Sequence, residues 1–358
     1  MEKRLLIYDL DLPEITRQLA DWGEPGYRAG QVWEGLYQHL WSSASEFTTL
    51  PRGLRERLAA IYDFQHLQLE TLLSSHDGET RKALFRLPDG EPVETVLMGY
   101  ARRKTLCIST QAGCAMGCAF CATGQMGFRR NLSSGEIVEQ VITCARWVRE
   151  EGNTVTNVVV MGMGEPFHNY DQTMAALERL NHHQGFNLGA RRFTISTVGL
   201  VPMIQRFARE KHPFNLAVSL HAADDELRSS MLPVNRRYPL EQVLAACLDY
   251  VRQTHRRVSF EWALIREVND TPEQARKLAT RLAPFVQGGA ALCHVNAIPL
   301  NPTDGYSGKA SPRERAQRFR EELEQHGIPC TIRLRRGIDI RAGCGQLAGK
   351  KSPGKDVP

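Results

Sequence analysis

Hydrophobic and polar positions change period three times along the chain. Residues 13–61 carry apolar positions at helical spacing, among them Val32, Leu36 and Leu40, and Pro51 suits the first turn of a helix. From Leu67 to Met98 the pattern shortens to strand-like runs broken at His76-Asp77-Gly78 and Pro88-Asp89-Gly90, both hairpin turn sequences. Beyond Thr105, strand-like and helix-like segments alternate. Strands are expected at Leu106–Thr110, Val155–Met161, Phe193–Thr197, Asn215–Leu220, Arg257–Leu264 and Leu292–Ile298, with a further one at Cys330–Leu334.

Six β/α units with right-handed crossovers curl into a partial or complete barrel, so the fold class is α/β, a partial (β/α)6 barrel. The expected organisation is a helical accessory domain at 1–66, a β-hairpin extension at 67–99, the barrel at 100–347 and a flexible tail at 348–358, where Gly349–Pro358 is rich in Lys, Pro and Gly. There is no internal repeat.

With 358 residues, 42% of them apolar and 24% charged, the chain can bury a sizeable core. No segment approaches the length of a membrane span and the N-terminus meets acidic residues early, which points to the cytoplasm. A net charge of +5 and a pI near 8.7 suit a polyanionic partner without requiring one. Nine cysteines without a secretory signal favour metal or redox chemistry over a disulfide framework.

Three of those cysteines form Cys114-Ala-Met-Gly-Cys118-Ala-Phe-Cys121, a C-x3-C-x2-C array after the first barrel strand. Three thiolates in so short a loop can hold one [4Fe–4S] cube and leave its fourth iron open. A zinc site completed by a fourth ligand, or three inert thiols, are the plainer alternatives. The spacing resembles that of the radical S-adenosylmethionine (SAM) superfamily. The resemblance implies that Cys114, Cys118 and Cys121 ligate a [4Fe–4S] cluster whose open iron binds SAM, and that electron transfer cleaves SAM to a 5′-deoxyadenosyl radical.

The likeness continues at the C-terminal ends of the expected strands, the rim where barrel active sites lie. Gly162-Met163-Gly164-Glu165-Pro166 is similar to the superfamily segment that binds the SAM amino group, which implicates Gly164 and Glu165. By the same resemblance Ser196, Ser219, Leu220, His221 and Asn296 fall at SAM-contacting positions. Any one of them alone reads as a satisfied polar or packing residue at a strand end.

Cys344, in Ala342-Gly343-Cys344-Gly345-Gln346-Leu347, and Cys107, seven residues before the array, stand apart from the cluster motif. A thiolate accepts a methyl group from a sulfonium, and flanking glycines give Cys344 little steric cover. Together with the array they resemble the bacterial adenosine-C2 RNA methyltransferases. In that family Cys344 would be methylated by one SAM, and a second SAM would supply the radical that removes hydrogen from that methyl. The carbon radical would add to the adenine ring, and Cys107 would release the product by forming a disulfide with Cys344. Glu94 matches the acceptor of the ring proton. Cys144, Cys247, Cys293 and Cys330 match none of these positions and read as packing residues.

The resemblance implies 23S ribosomal RNA and transfer RNA as substrates, a flavodoxin- or ferredoxin-type electron donor and a monomeric enzyme. Arginine pairs recur at 102–103, 129–130, 191–192, 236–237, 256–257 and 335–336, and would form a phosphate-binding surface if gathered at one rim. Two competing readings stand beside this one. A related antibiotic-resistance methylase acts at C8 of the same ribosomal adenosine, but Pro166 and Ile298-Pro299-Leu300-Asn301-Pro302 favour the C2 enzyme. A non-catalytic iron–sulfur RNA-binding protein would need neither Cys107 nor Cys344.

Overall fold

The computed structural model describes residues 4–349; the expected tail at 348–358 falls mostly outside them. The helical part begins with α1 (Leu12–Asp21), closed by a capping box in which the Glu14 amide donates to Asp11 and the Asp11 amide to Glu14. Helix α2 (Tyr27–Glu34) runs into one π-helical turn, Gly35–His39. Helix α3 (Arg52–Ile61) starts one residue after Pro51. Trp33, Leu36, Tyr37 and Phe47 are buried between them.

Ten strands form one sheet. Strands β1 (Gln68–Ser74), β2 (Thr80–Arg86), β3 (Pro92–Tyr100) and β4 (Arg103–Cys107) are antiparallel, turning at the two predicted hairpins. Strand β4 is also the first of the parallel set, followed across the sheet by β5 (Asn157–Val160), β6 (Phe193–Thr197), β7 (Asn215–Ser219), β8 (Val258–Leu264), β9 (Cys293–Pro299) and β10 (Cys330–Ile332). The hairpins therefore extend the barrel sheet at its open edge.

Strand boundaries shift from the sequence expectation by up to three residues, most at the first barrel strand. The first barrel strand is Arg103–Cys107 because the chain then leaves the ladder, Thr110 and Gln111 donating to the Met163 carbonyl. The last strand stops at Ile332, and Leu334 is exposed.

Side chains alternate across the parallel strands. Leu106, Val158, Ile195, Leu216, Phe260 and Val295 are wholly buried in the apolar core. Thr105, Cys107, Asn157, Val159, Thr194 and Glu261 line the concave side. The lone cysteines Cys144, Cys247, Cys293 and Cys330 are buried in the core.

The helical part docks through the helices α4 (Ser134–Glu150) and α5 (Tyr170–Asn181). Asp9 accepts from the Gly135 amide at 2.7 Å, placing a carboxylate on the helix N-terminus. Arg179 donates to the carbonyls of Tyr8 and Asp9, and Arg146 to that of Leu40. A Cβ at Gly135 would lie 2.7 Å from Asp9. Gly135→Ala should therefore cost about 1–3 kcal/mol, read as a lowered denaturant midpoint of the full chain.

Candidate active site

Two cavities adjoin within the barrel, one at the C-terminal ends of the parallel strands and the other reaching toward their N-terminal ends at Arg103, Asn157 and Thr194, and Cys344 lies in the wall of both. Met161, Glu261, Ile298 and Asn301 share that wall with it.

The first cavity is bounded by Cys118, Cys121, Gly164, Glu165, Ser196, Ser219 and His221. Cys114 and Cys118 are buried and Cys121 is half-buried. Burial pushes the Cys118 thiol well up, and the neighbouring Cys121 and Cys114 add to this, so the three thiols stand close together. Among the described residues no three His, Cys, Asp or Glu side chains are arranged to hold a single metal ion. Three thiols in one short loop, close enough to influence one another, with Cys118 and Cys121 lining the cavity, fit the three ligands of a multi-iron cluster with one corner open.

The turn after β5 is set by packing. A Cβ on Gly162 would lie 2.6 Å from the Ile108 carbonyl oxygen and the Ser109 hydroxyl, and Gly164 has φ +100 with the Gln111 side chain 2.6 Å from its Cβ position. Glu165 accepts from the amides of Phe167 (3.0 Å) and Val198 (2.9 Å), and burial pushes its pKa up to about 7. His221 has φ +60, and its Nδ1 accepts from the Ala263 amide at 2.9 Å, which leaves the proton on Nε2. Burial, helped by Arg228, lowers its pKa to about 3, so the ring is neutral at physiological pH.

Leu220 and Asn296 line neither cavity. Leu220 is wholly buried, and Asn296 donates to Glu261 at 2.8 Å. Glu94 is also outside both. Its carboxylate is fully buried, pairs with Lys82 at 3.0 Å and accepts from the amides of Ala348 (2.7 Å) and Gly349 (3.2 Å).

The second cavity contains Cys107 and Cys344 together, with Tyr100, Arg103, Arg333 and Arg336 among its walls. Their thiols are close enough for Cys344 to help raise the pKa of Cys107, after burial. Cys344 reaches this position because the Asn301 amide donates to its carbonyl, Gln346 braces Gly343 and Pro302, and the Ala122 amide donates to Gly345. Its thiol is pushed up to about 11 by burial and the Glu261 carboxylate, with Arg333 acting in the opposite direction.

Sequence reasoning missed Arg228, Glu261 and Arg333. Arg228, on the helix Asp225–Met231, is completely buried and donates to the carbonyls of Val198, Ser219 and Leu220, tying together the ends of β6 and β7. The signal for Glu261 was a carboxylate inside an apolar strand, an expensive residue there unless the interior holds a partner. Of the arginine pairs, only 102–103 and 335–336 bring members to the second cavity. Arg130 is committed to Asp89 and Glu136, while Arg256 and Arg257, which line neither cavity, hold Asn215 and the Cys293 carbonyl.

Comparison with known proteins settles the family. Residues 108–279 match the radical SAM superfamily, and residues 6–64 match the ribosomal RNA large subunit methyltransferase N-terminal domain. A probable dual-specificity RNA methyltransferase RlmN of Chloroflexus aurantiacus is 53% identical over 98% of this chain and 94% of its own length. The chain belongs to the RlmN family of RNA methyltransferases. Its Myxococcus xanthus relative, dual-specificity RNA methyltransferase RlmN 1, is 47% identical over 95% of this chain and 93% of its own. A radical SAM methyltransferase from Sphaerobacter thermophilus, known by crystal structure, shares 50% identity and superposes with TM-score 0.92 over 97% of this chain and all of its own. An RlmN-family enzyme is a radical SAM RNA methyltransferase, and its superfamily implies a [4Fe–4S] cluster and SAM. Among the described residues no helix is long and apolar enough to cross a membrane.

Two expectations follow. Gly164→Ala should weaken SAM binding to the reconstituted enzyme at least about tenfold, measured by calorimetric titration, because the added methyl forces the turn away from Gln111. Alkylation of Cys344 by iodoacetamide, read by peptide mass, should be slow at pH 7 and rise about tenfold per pH unit to pH 9, since only the thiolate reacts.

Proposed function

We propose that this enzyme methylates C2 of an adenosine in 23S ribosomal RNA and of an adenosine beside the anticodon in transfer RNA, with Cys344 as the methyl carrier. The observation that carries this reading is the place of Cys344 in the common wall of two cavities, one bounded by the cysteine array and the other holding Cys107. The names of the relatives support two RNA substrates. Pro166 and the segment Ile298–Pro302 support C2 over C8.

In this reading Cys114, Cys118 and Cys121 hold one [4Fe–4S] cluster, which with SAM supplies a 5′-deoxyadenosyl radical. Gly164, Glu165, Ser196, Ser219 and His221 shape the SAM cavity. Glu165 steadies the turn that faces the ligand, and neutral His221 offers its Nε2–H. Asn296 acts through Glu261, and Leu220 through its backbone.

An adenine ring carbon is a poor nucleophile toward a sulfonium methyl but accepts a carbon radical. Cys344 first takes a methyl from one SAM as its thiolate. That methyl, after giving up a hydrogen atom to the radical from a second SAM, would bond to C2; the adduct radical would then pass one electron to the oxidised iron–sulfur cluster and lose the C2 proton, restoring the aromatic ring. The Cys107 sulfur then attacks the Cys344 sulfur. The S–CH2 bond breaks with its electron pair on carbon, the carbon takes a proton to become methyl, and the thiols are left as a disulfide for an external electron donor to reduce.

Glu94 is the proposed acceptor of the ring proton, and the geometry sets a condition on that role. Its oxygens must first release Lys82 and the Ala348 and Gly349 amides, so proton transfer is tied to movement of the segment carrying Cys344.

The deciding test incubates the reduced, cluster-loaded enzyme with labelled SAM and unmethylated RNA, and identifies the nucleoside against C2- and C8-methyladenosine standards. Cys344→Ala should abolish product. Cys107→Ala should accumulate a covalent protein–RNA adduct on a denaturing gel; free product at the wild-type rate would remove Cys107 from the mechanism.

A further inference from the structure

The strand β10 ends at Ile332, and the next four residues, Arg333-Leu334-Arg335-Arg336, form a loop at the mouth of the cavity that holds Cys107 and Cys344. Leu334 is 85% exposed, the highest among the exposed large apolar residues of the described chain. A single exposed leucine is ordinary. One raised between arginines at the entrance to a reactive thiol is not explained by the packing of the fold.

The base of the loop is fixed on both sides. The Arg333 amide donates to the Ala297 carbonyl at 2.8 Å. Arg336 donates to the Gly99 carbonyl at 3.0 Å and lies 4.4 Å from the Tyr100 ring centre, beside Arg103 at 4.2 Å from the same ring. Among the described residues no carboxylate lies within 4.0 Å of Arg103, Arg333 or Arg335, and Arg336 meets only Glu79 at 3.9 Å. The mouth thus carries four arginines against the carboxylates of Glu79 and Glu261, an excess of positive charge that complements a phosphate backbone.

Cys344 is exposed to solvent but lies in the wall of a cavity rather than on an open face, so an adenosine stacked in folded RNA must leave its stack to enter that cavity. Unstacking is unfavourable, and an apolar side chain entering the gap recovers part of that cost. We propose that the loop is the RNA-opening element of this enzyme: Arg103, Arg333 and Arg335 hold phosphates flanking the target, and Leu334 enters the stack in place of the extruded adenosine. This rests on the adenosine reading above. Arg336 and Tyr100 brace the loop.

The test uses the cluster-loaded full-length enzyme and an anticodon stem-loop RNA with 2-aminopurine at the target position, whose fluorescence rises on unstacking. The unmodified stem-loop serves for turnover, scored per methylated Cys344. Leu334→Ala should reduce both the fluorescence rise and turnover roughly tenfold while changing Kd little, and Leu334→Phe should restore them. Arg335→Ala should raise Kd and reduce the slope of log Kd against log salt concentration by about one. Wild-type fluorescence and turnover in Leu334→Ala would overturn the wedge. Unchanged RNA binding in Arg335→Ala, with slower reduction by an acidic flavoprotein, would assign the patch to a protein partner and overturn it equally. A wild-type enzyme whose Cys344 gains no methyl from SAM would instead overturn the reading beneath it.

Discussion

The active centre depends on how the segment after β10 is held across the mouth of the barrel. Cys344 belongs to no regular element, and a loop cysteine has no fixed position of its own. Asn301 binds its carbonyl, Ala122 binds that of Gly345, and Thr123 donates to that of Leu347 at 2.6 Å. Two of these three anchors begin the short helix Ala122–Met126, directly after the last cysteine of the array. The Cys344 thiol is therefore referenced to the same loop that carries Cys114, Cys118 and Cys121, and the two groups of cysteines share one local frame.

The buried pair of Lys82 and Glu94 closes the frame from the other side. Such pairs contribute little net stability once desolvation is counted, but removing one partner leaves a costly unpaired charge. Here the pair also gathers the amides of Ala348 and Gly349, while Lys82 donates to the Arg341 carbonyl at 3.3 Å. The antiparallel strands β2 and β3, outside the barrel proper, thus help seat the catalytic segment. Their attachment to the open edge of the sheet has a functional consequence beyond covering that edge.

A partial barrel suits a polymer substrate. Full closure would surround the thiol with strands, whereas the open side leaves Cys344 reachable from the cavity lined by Tyr100 and the arginines. The cavity bounded by the cluster cysteines lies on the other side of the same wall, shared through Met161, Glu261, Ile298 and Asn301. In the proposed mechanism the small-molecule and RNA steps meet at this one sulfur from two cavities.

Much of this was legible in the linear chain. Alternating apolar periods determined the β/α order, turn residues placed both hairpins, and the C-x3-C-x2-C array with Cys107 and Cys344 marked the chemistry, because these signals are local. Strand ends were less legible: Thr110 and Gln111 leave the ladder for a carbonyl more than fifty residues away, which no local pattern encodes. Only the tertiary structure decided that Cys344 stands between two cavities, that Glu261 shares its wall, that Arg103, Arg333 and Arg335 gather at one mouth while other arginine pairs do not, and that Glu94 is locked to Lys82. Burial, charge pairing and shared walls are set by distances between remote segments, and the periodicity of a sequence carries no information about those distances.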